Sequence, residues 1–328
     1  MTPPAAPITF SVTICTLNRA RLLRQAVESV FDQDYPKDHY ELIIVDNGST
    51  DETPCLIEHL AENAPISLRS LSEGRIGIAA ARNRAIAEAT HSYIAYLDDD
   101  EIANSDWLAQ LSDTISKYGA LIVGGRVEEY FENGFVPPRW YNCRYLQGFF
   151  RLDYEHRTEH LPVVKAQEDD YIGSGNCAYA KSLFDRFGNF PLQLGHTGPL
   201  PLAGAETYFN ELASRHGVDI YYSDDAVVKH VIDPARVTRH NMLRKSYYMG
   251  VSDAQRSIMT NGPRGAISRA AANVREMRRF AAPILRNPRH PQTFCRICRL
   301  VYNSAVLLGI ARILIETSFR RTARGESA

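Results

Sequence analysis

Four consecutive acids, Asp98-Asp99-Asp100-Glu101, follow directly on the apolar run Tyr93 to Leu97. Held together at a strand end, such carboxylates repel one another unless a cation compensates them. A hard divalent ion with oxygen ligands, Mn²⁺ or Mg²⁺, suits the group and would also bind phosphate oxygens. A solvated acidic loop, or the start of the helix containing Trp107, where acids are favoured, accounts for the run as well. Polar residues collect in two comparable places: Thr16-Leu17-Asn18-Arg19 after the run Phe10 to Cys15, and Asp46 to Asp51 after Glu41 to Val45. Turn and capping chemistry explains Asn47 to Thr50. Asp46 is harder to dismiss, because a strand-end carboxylate can accept the imide N–H of a uracil ring. Gly77 and Ala79-Ala80-Ala81 open a helix of small residues that close packing explains. Arg82 in that helix offers a guanidinium to a diphosphate, or to an ordinary ion pair.

The elements that must position these groups are legible as periodicity. Apolar β-type runs at Phe10 to Cys15, Glu41 to Val45, Ile66 to Leu71, Tyr93 to Leu97 and Leu121 to Val127 alternate with helical patterns. The helical patterns cover Arg21 to Gln33, Glu52 to Asn63, Ile78 to Ala89 and Trp107 to Tyr118. Short continuous apolar strands between helices predict an α/β fold with a mainly parallel sheet covered on both faces. Ligands bind such sheets outside the carboxyl ends of the strands, where the polar clusters fall. Residues 126–175 are irregular and aromatic-rich, with Trp140 in Pro137-Pro138-Arg139-Trp140-Tyr141 a candidate substrate wall. Helices are expected at Lys181 to Phe187 and Thr207 to His216, separated by a Gly/Pro-rich loop from Gly188 to Gly204, then a strand at Asp219 to Tyr222. From Asn241 onward the chain reads as helices broken near Pro263, Pro283, Pro288 and Pro291.

Taken in order, ICTLNR, VDNGSTD, GRIGIAAARN and YLDDDE resemble glycosyltransferase family 2, over about the first 125 residues. The family's pattern runs P-T-Y-N-R, D-D-G-S-T-D, G-x-x-x-A-R-N and F-L-D-x-D-D; Cys15 and Asn47 depart from it. The resemblance implies a GT-A-type, single Rossmann-like nucleotide-sugar domain and an inverting transfer to a hydroxyl acceptor. It implies that Asp46 contacts uracil, that Asp98 and Asp99 lie at the nucleotide, and that Asp100 holds the metal. Thr16, Asn18, Arg19, Gly77 and Arg82 complete the expected nucleotide-sugar site. Gly173-Ser174-Gly175-Asn176 resembles the family's G-x-N segment, placing Gly175 and Asn176 near the transferred sugar and acceptor. Gly204-Ala205-Glu206-Thr207 resembles its G-E-D-T stretch, and with Ala205 replacing the usual first acid, Glu206 is left as the catalytic base. A first-turn acid stabilised by the helix dipole explains Glu206 without catalysis. His230 resembles a family histidine that completes the metal or diphosphate site, although lone histidines are more often structural. The implied domains are 1–240, catalytic, with a nucleotide-binding half at 1–125 and an acceptor half at 126–240, and a helical extension at 241–328. Two rivals remain: a sugar-nucleotide pyrophosphorylase, which should carry a Gly-rich loop after the first strand, and a non-catalytic nucleotide-sugar-binding protein.

Net charge is −1, so no basic excess marks a nucleic-acid binder. The charge is unevenly spread: from Arg264 onward there are thirteen arginines and three acids. A basic tail on an acidic body suggests peripheral contact with an anionic membrane, where lipid-linked acceptors of cell-surface polysaccharide or glycolipid synthesis reside. Phe294, Val301, Leu307, Leu308 and Ile313 would supply apolar area, and two terminal helices packed on the catalytic domain are the alternative. The uncharged stretch Leu300 to Ala311 is too short to span a bilayer. Met1 to Phe10 does not read as a secretory signal, which predicts a cytoplasmic protein. Six scattered cysteines predict reduced thiols, and Cys295-x-x-Cys298 has no second pair to form a zinc site.

Overall fold

The computed structural model describes residues 7–153, 163–166, 172–195 and 202–323. In chain order the elements are β1 (Phe10–Thr16), α1 (Ala20–Phe31), β2 (Tyr40–Asp46), α2 (Thr53–Glu62), β3 (Ser67–Ser72), α3 (Ile78–Glu88), β4 (Tyr93–Leu97), β5 (Glu101–Ala103) and α4 (Trp107–Tyr118). There follow β6 (Ile122–Phe131), α5 (Arg144–Gln147), β7 (Val163–Lys165), β8 (Asn176–Ala180), α6 (Ser182–Phe187), α7 (Ala205–Arg215), β9 (Ile220–Ile232), α8 (Arg239–Arg286) and α9 (Thr293–Ala323). The five strands and four helices read from the first 130 residues all form, with ends shifted by a few residues at most. Part of the Gly/Pro-rich loop expected over Gly188 to Gly204 lies outside the described residues.

The strands join one sheet in the order β3-β2-β1-β4-β8-β6-β9-β5, with β7 paired to β9. β3, β2, β1 and β4 are mutually parallel, which is why their connections are helices and why β1 and β4 are buried along their whole length. β8 runs antiparallel to β4 and β6, and β9 pairs parallel with β6 and antiparallel with β5. Alanines 79, 80, 81 and 85 of α3 are buried, as close packing of that helix requires.

The chain divides into two compact units. The first comprises Met1–Asn133, Phe150–Leu192 and Phe209–Ile232 and contains the whole sheet; the second comprises Gly134–Phe149, Gln193–Tyr208 and Asp233–Ala328. Residues 134–149 and 193–208 cluster with the C-terminal helices. The core of the first unit includes an aromatic group in which Tyr179 meets Phe184, Phe190 and Phe209.

In the second unit α8 and α9 pack along each other around Ala254, Ala266, Val306 and Ile310. The approach is close: a Cβ on Gly250 would lie 2.3 Å from the Tyr302 carbonyl oxygen, and one on Gly309 2.7 Å from the Ala254 Cβ. Buried Asp253 is compensated by Arg256, Arg269 and the Tyr302 hydroxyl. The break expected near Pro263 occurs at Gly262, whose φ of 65° interrupts the helix, whereas Pro283 is accommodated inside α8. Two expectations are corrected. Cys295 forms a disulfide with Cys143, 152 residues away, so not all thiols are free and Cys298 is left buried and alone. Helix Thr293–Glu316 is long and apolar enough to cross a membrane, because the apolar stretch continues beyond Arg299 and Arg312 within one helix.

Candidate active site

β4 ends at Leu97, Asp98 to Asp100 make a tight turn in which the Glu101 amide donates to the Asp98 carbonyl (3.0 Å), and Glu101 already belongs to β5. β5 zips antiparallel onto β9 with Glu101 opposite His230, and the Val231 amide donates to the Asp100 carbonyl at 2.8 Å. This pairing places the His230 Nε2 3.5 Å from Asp100 Oδ2. The other ring nitrogen, Nδ1, lies 3.1 Å from the Phe150 carbonyl oxygen. If Nδ1 carries the proton, that bond leaves the Nε2 lone pair facing the carboxylate. Nε2 is buried with no hydrogen-bond partner among the described residues.

The acids are partly compensated by two arginines. Arg19 donates from one nitrogen to Asp99 (2.7 Å) and Asp100 (3.0 Å), while the Thr16 hydroxyl donates to Asp99 at 2.8 Å. Arg82 donates to Asp98 at 2.7 Å and to the Ser174 carbonyl at 3.3 Å, with its guanidinium over the Tyr96 ring. Burial, opposed by Arg19 and reinforced by the neighbouring carboxylates, pushes Asp99 up to about 6. Burial together with Asp98 and Asp100 drives Glu101 well above the carboxylate range. Gly175 is packed against this group so tightly that a Cβ would lie 2.3 Å from a Glu101 carboxylate oxygen and 2.7 Å from one of Asp98.

A second group gathers at the ends of β1 and β2. Half-buried Asp46 accepts the Ser49 amide at 3.0 Å, which shapes the loop after β2. Asn18, in the left-handed region at φ 55°, accepts the Thr50 amide at 2.7 Å. Gly77, at φ 140°, donates its amide to the Asn47 side chain at 2.7 Å. The Asn47 side chain also donates to the Glu73 and Arg75 carbonyls, so it fastens this loop rather than offering itself to a ligand.

Two expected ligand contacts are redirected. Arg82 is 3% exposed and its guanidinium supports Asp98, so it is placed behind the carboxylates and not toward a diphosphate. Asn176 is fully buried: its amide oxygen accepts the Trp107 indole N–H at 2.7 Å, and its nitrogen donates to the Arg126 and Ala226 carbonyls at 2.9 and 2.8 Å. The side chain therefore ties β8 to β6, β9 and α4, and does not face a sugar. Glu206, in the first turn of α7, and Trp140, edge-on to Phe294 at 4.9 Å and beneath Arg239, belong to the second unit. Sequence reasoning missed the burial of Glu101, which its place at the start of β5, directly opposite His230, explains.

No group of three His, Cys, Asp or Glu with metal-holding geometry occurs among the described residues. Asp100 and His230 nevertheless fit a divalent ion that takes its remaining ligands from phosphate oxygens and water, the usual arrangement for such ions in phosphate chemistry. An orphaned imidazole nitrogen facing a buried carboxylate is the observation behind that fit.

A mainly parallel sheet with helices between its strands, carboxylates at the end of β4 and an acid at the end of β2, two strands away, define the GT-A type of α/β fold. Residues 11–186, more than half of the chain, match the model of glycosyl transferase family 2, and the chain belongs to that family. It is 26% identical over 248 residues to glycosyltransferase AglE of Haloferax volcanii, covering 75% of this chain and 73% of that one. It is also 26% identical to a glucosyl-dolichyl phosphate glucuronosyltransferase of the same organism, covering 74% and 75%. Among solved structures, the mannosyltransferase PcManGT of Pyrobaculum calidifontis, in complex with GDP-Man and Mn²⁺, superposes with a TM-score of 0.61 at 20% identity, over 93% of this chain and 88% of that one. That level of identity speaks for the fold.

Proposed function

We propose that this glycosyltransferase is inverting and metal-dependent, moving a sugar from a nucleoside diphosphate, UDP first, to a hydroxyl of a glycan or lipid-linked acceptor. The observation that carries the reading is the buried His230 Nε2, which makes no hydrogen bond among the described residues and lies 3.5 Å from Asp100. Mn²⁺ or Mg²⁺ held by Asp100 and His230 would supply positive charge to the departing diphosphate. Thr16 and Arg19 fix Asp99 and draw Asp100 into register. Arg82 and Gly175 set the position of Asp98, whose carboxylate would lie at the nucleotide. Asp46 would accept the base's ring N–H, Asn18 and Gly77 shape the loops around it, and Trp140 would serve as an acceptor wall. Glu206 takes the acceptor hydroxyl proton as that oxygen bonds to the anomeric carbon; the carbon–oxygen bond to the diphosphate breaks and its electron pair leaves with the phosphate.

The lipid-linked acceptor is supported by the glucosyl-dolichyl phosphate in the name of one relative and by the basic tail. Such an acceptor would put the enzyme at the inner face of a membrane. The test is a screen of UDP- and GDP-sugars with Mn²⁺, reading nucleoside diphosphate release, repeated with Glu206→Gln. The proposal expects the variant to bind donor like the parent and to lose turnover at least about 100-fold, the scale of a general base. Unchanged turnover would remove Glu206 from the chemistry.

A further inference from the structure

The second unit exposes apolar residues outside its own core. Beyond the break at Gly262, α8 buries Ala266, Asn273 and Phe280 along one line. A second line, Ile267, Val274 and Leu285, stays 57%, 40% and 84% exposed. Spacings of 7 and 11 return to one face of a helix, so these three make a stripe. Arg264, Arg275, Arg278, Arg279 and Arg286 are exposed within and beside it. In α9 the exposed aliphatics Ile297, Leu308 and Ile315 repeat at the same spacings, while Cys298, Val306 and Ile310 are buried. Phe294, expected to contribute apolar surface, is instead buried against Trp140.

Between Arg264 and Glu316 there are ten arginines and two glutamates. Aliphatic stripes flanked by arginines are the signature of helices that lie in the headgroup region of an anionic bilayer. We propose that the outward faces of α9 and of the second part of α8 dock this protein in the plane of a bilayer containing anionic lipids. A second copy of the chain is disfavoured, because a two-fold contact would set these arginines against their own counterparts. Insertion across the bilayer is disfavoured too: α9 is committed to α8 through Gly250 and Gly309, buries Asn303, and joins the Asp253–Tyr302 pair.

The inference adds a partner to the transfer reading and is separable from it. The full chain is floated with phosphatidylcholine vesicles, with and without phosphatidylglycerol, and compared with Ile267→Glu/Leu308→Glu and with Arg275→Ser/Arg279→Ser. Binding is expected only to the vesicles containing phosphatidylglycerol, to be released by high salt, and to fall about tenfold or more in each variant. Both variants are expected to melt with the parent and to keep its nucleoside diphosphate release on a soluble acceptor. Equal binding to neutral vesicles, retention through high salt and alkaline washing, or indifference to both variants overturns the proposal. So does a concentration-dependent dimer that Ile267→Glu dissolves in a protein that binds no vesicle.

Discussion

Replacing Arg82 by methionine tests whether this guanidinium acts on the carboxylates or on a nucleotide. It donates to Asp98 at 2.7 Å and to the Ser174 carbonyl at 3.3 Å, and it lies 5.3 Å from the Tyr96 ring centre. Breaking a buried ion pair costs about 3–5 kcal/mol, chiefly because the surviving charge is left unopposed. The side chain of Arg82 is 3% exposed but that of Asp98 is 36%, so water screens part of the loss. Methionine also keeps the apolar stem in place. A loss of about 2–3 kcal/mol remains, which lowers Tm by roughly 3–4 °C in a chain of 328 residues. Thermal unfolding followed by circular dichroism, without nucleotide or metal, measures it. A melting temperature within about 1 °C of the parent, with the damage confined to donor affinity, would instead return Arg82 to the diphosphate.

Two further outcomes follow from buried polar groups. Asn176→Ala orphans the Trp107 indole and the Arg126 and Ala226 carbonyls, so urea denaturation should show a loss of about 3–5 kcal/mol before any ligand is added. Burial would raise Glu41, but hydrogen bonds from Ser11, Thr90 and Arg69 outweigh it and hold the carboxyl below the ordinary 4.5. A lowered folded pKa contributes stability that is present above the unfolded value and lost as pH falls through the folded one. The stability gap between the parent and Glu41→Gln should therefore be full near neutral pH and close below about pH 4.5, as thermal melts across pH will show.

The N-terminal part of the sheet is legible because β1, β2 and β4 are buried on both faces, leaving uninterrupted apolar runs with helices between them. The positions of Asp46 and of Asp98 to Asp100 followed, since each sits where such a strand stops. What local pattern does not encode is the direction a polar side chain takes. Arg82 and Asn176 are residue types that bind ligands on a surface, yet each is turned inward to satisfy groups far along the chain. The juxtaposition of Asp100 and His230 depends on the β5–β9 ladder, which closes across 130 residues. The Cys143–Cys295 link is equally non-local, and β8 offers too short an apolar run, Cys177 to Ala180 after Asn176, to stand out.

The proposed grip of Asp100 and His230 on a divalent ion decides the rest. Isothermal titration of Mn²⁺ into the protein with nucleoside diphosphate present tests it most directly, using the parent, His230→Ala and Asp100→Asn. Saturable binding by the parent and a weakening of about tenfold or more in each variant are expected, with melting temperatures unchanged when Mn²⁺ is omitted. Equal Mn²⁺ affinity in all three proteins, or turnover that survives exhaustive chelation, would contradict it.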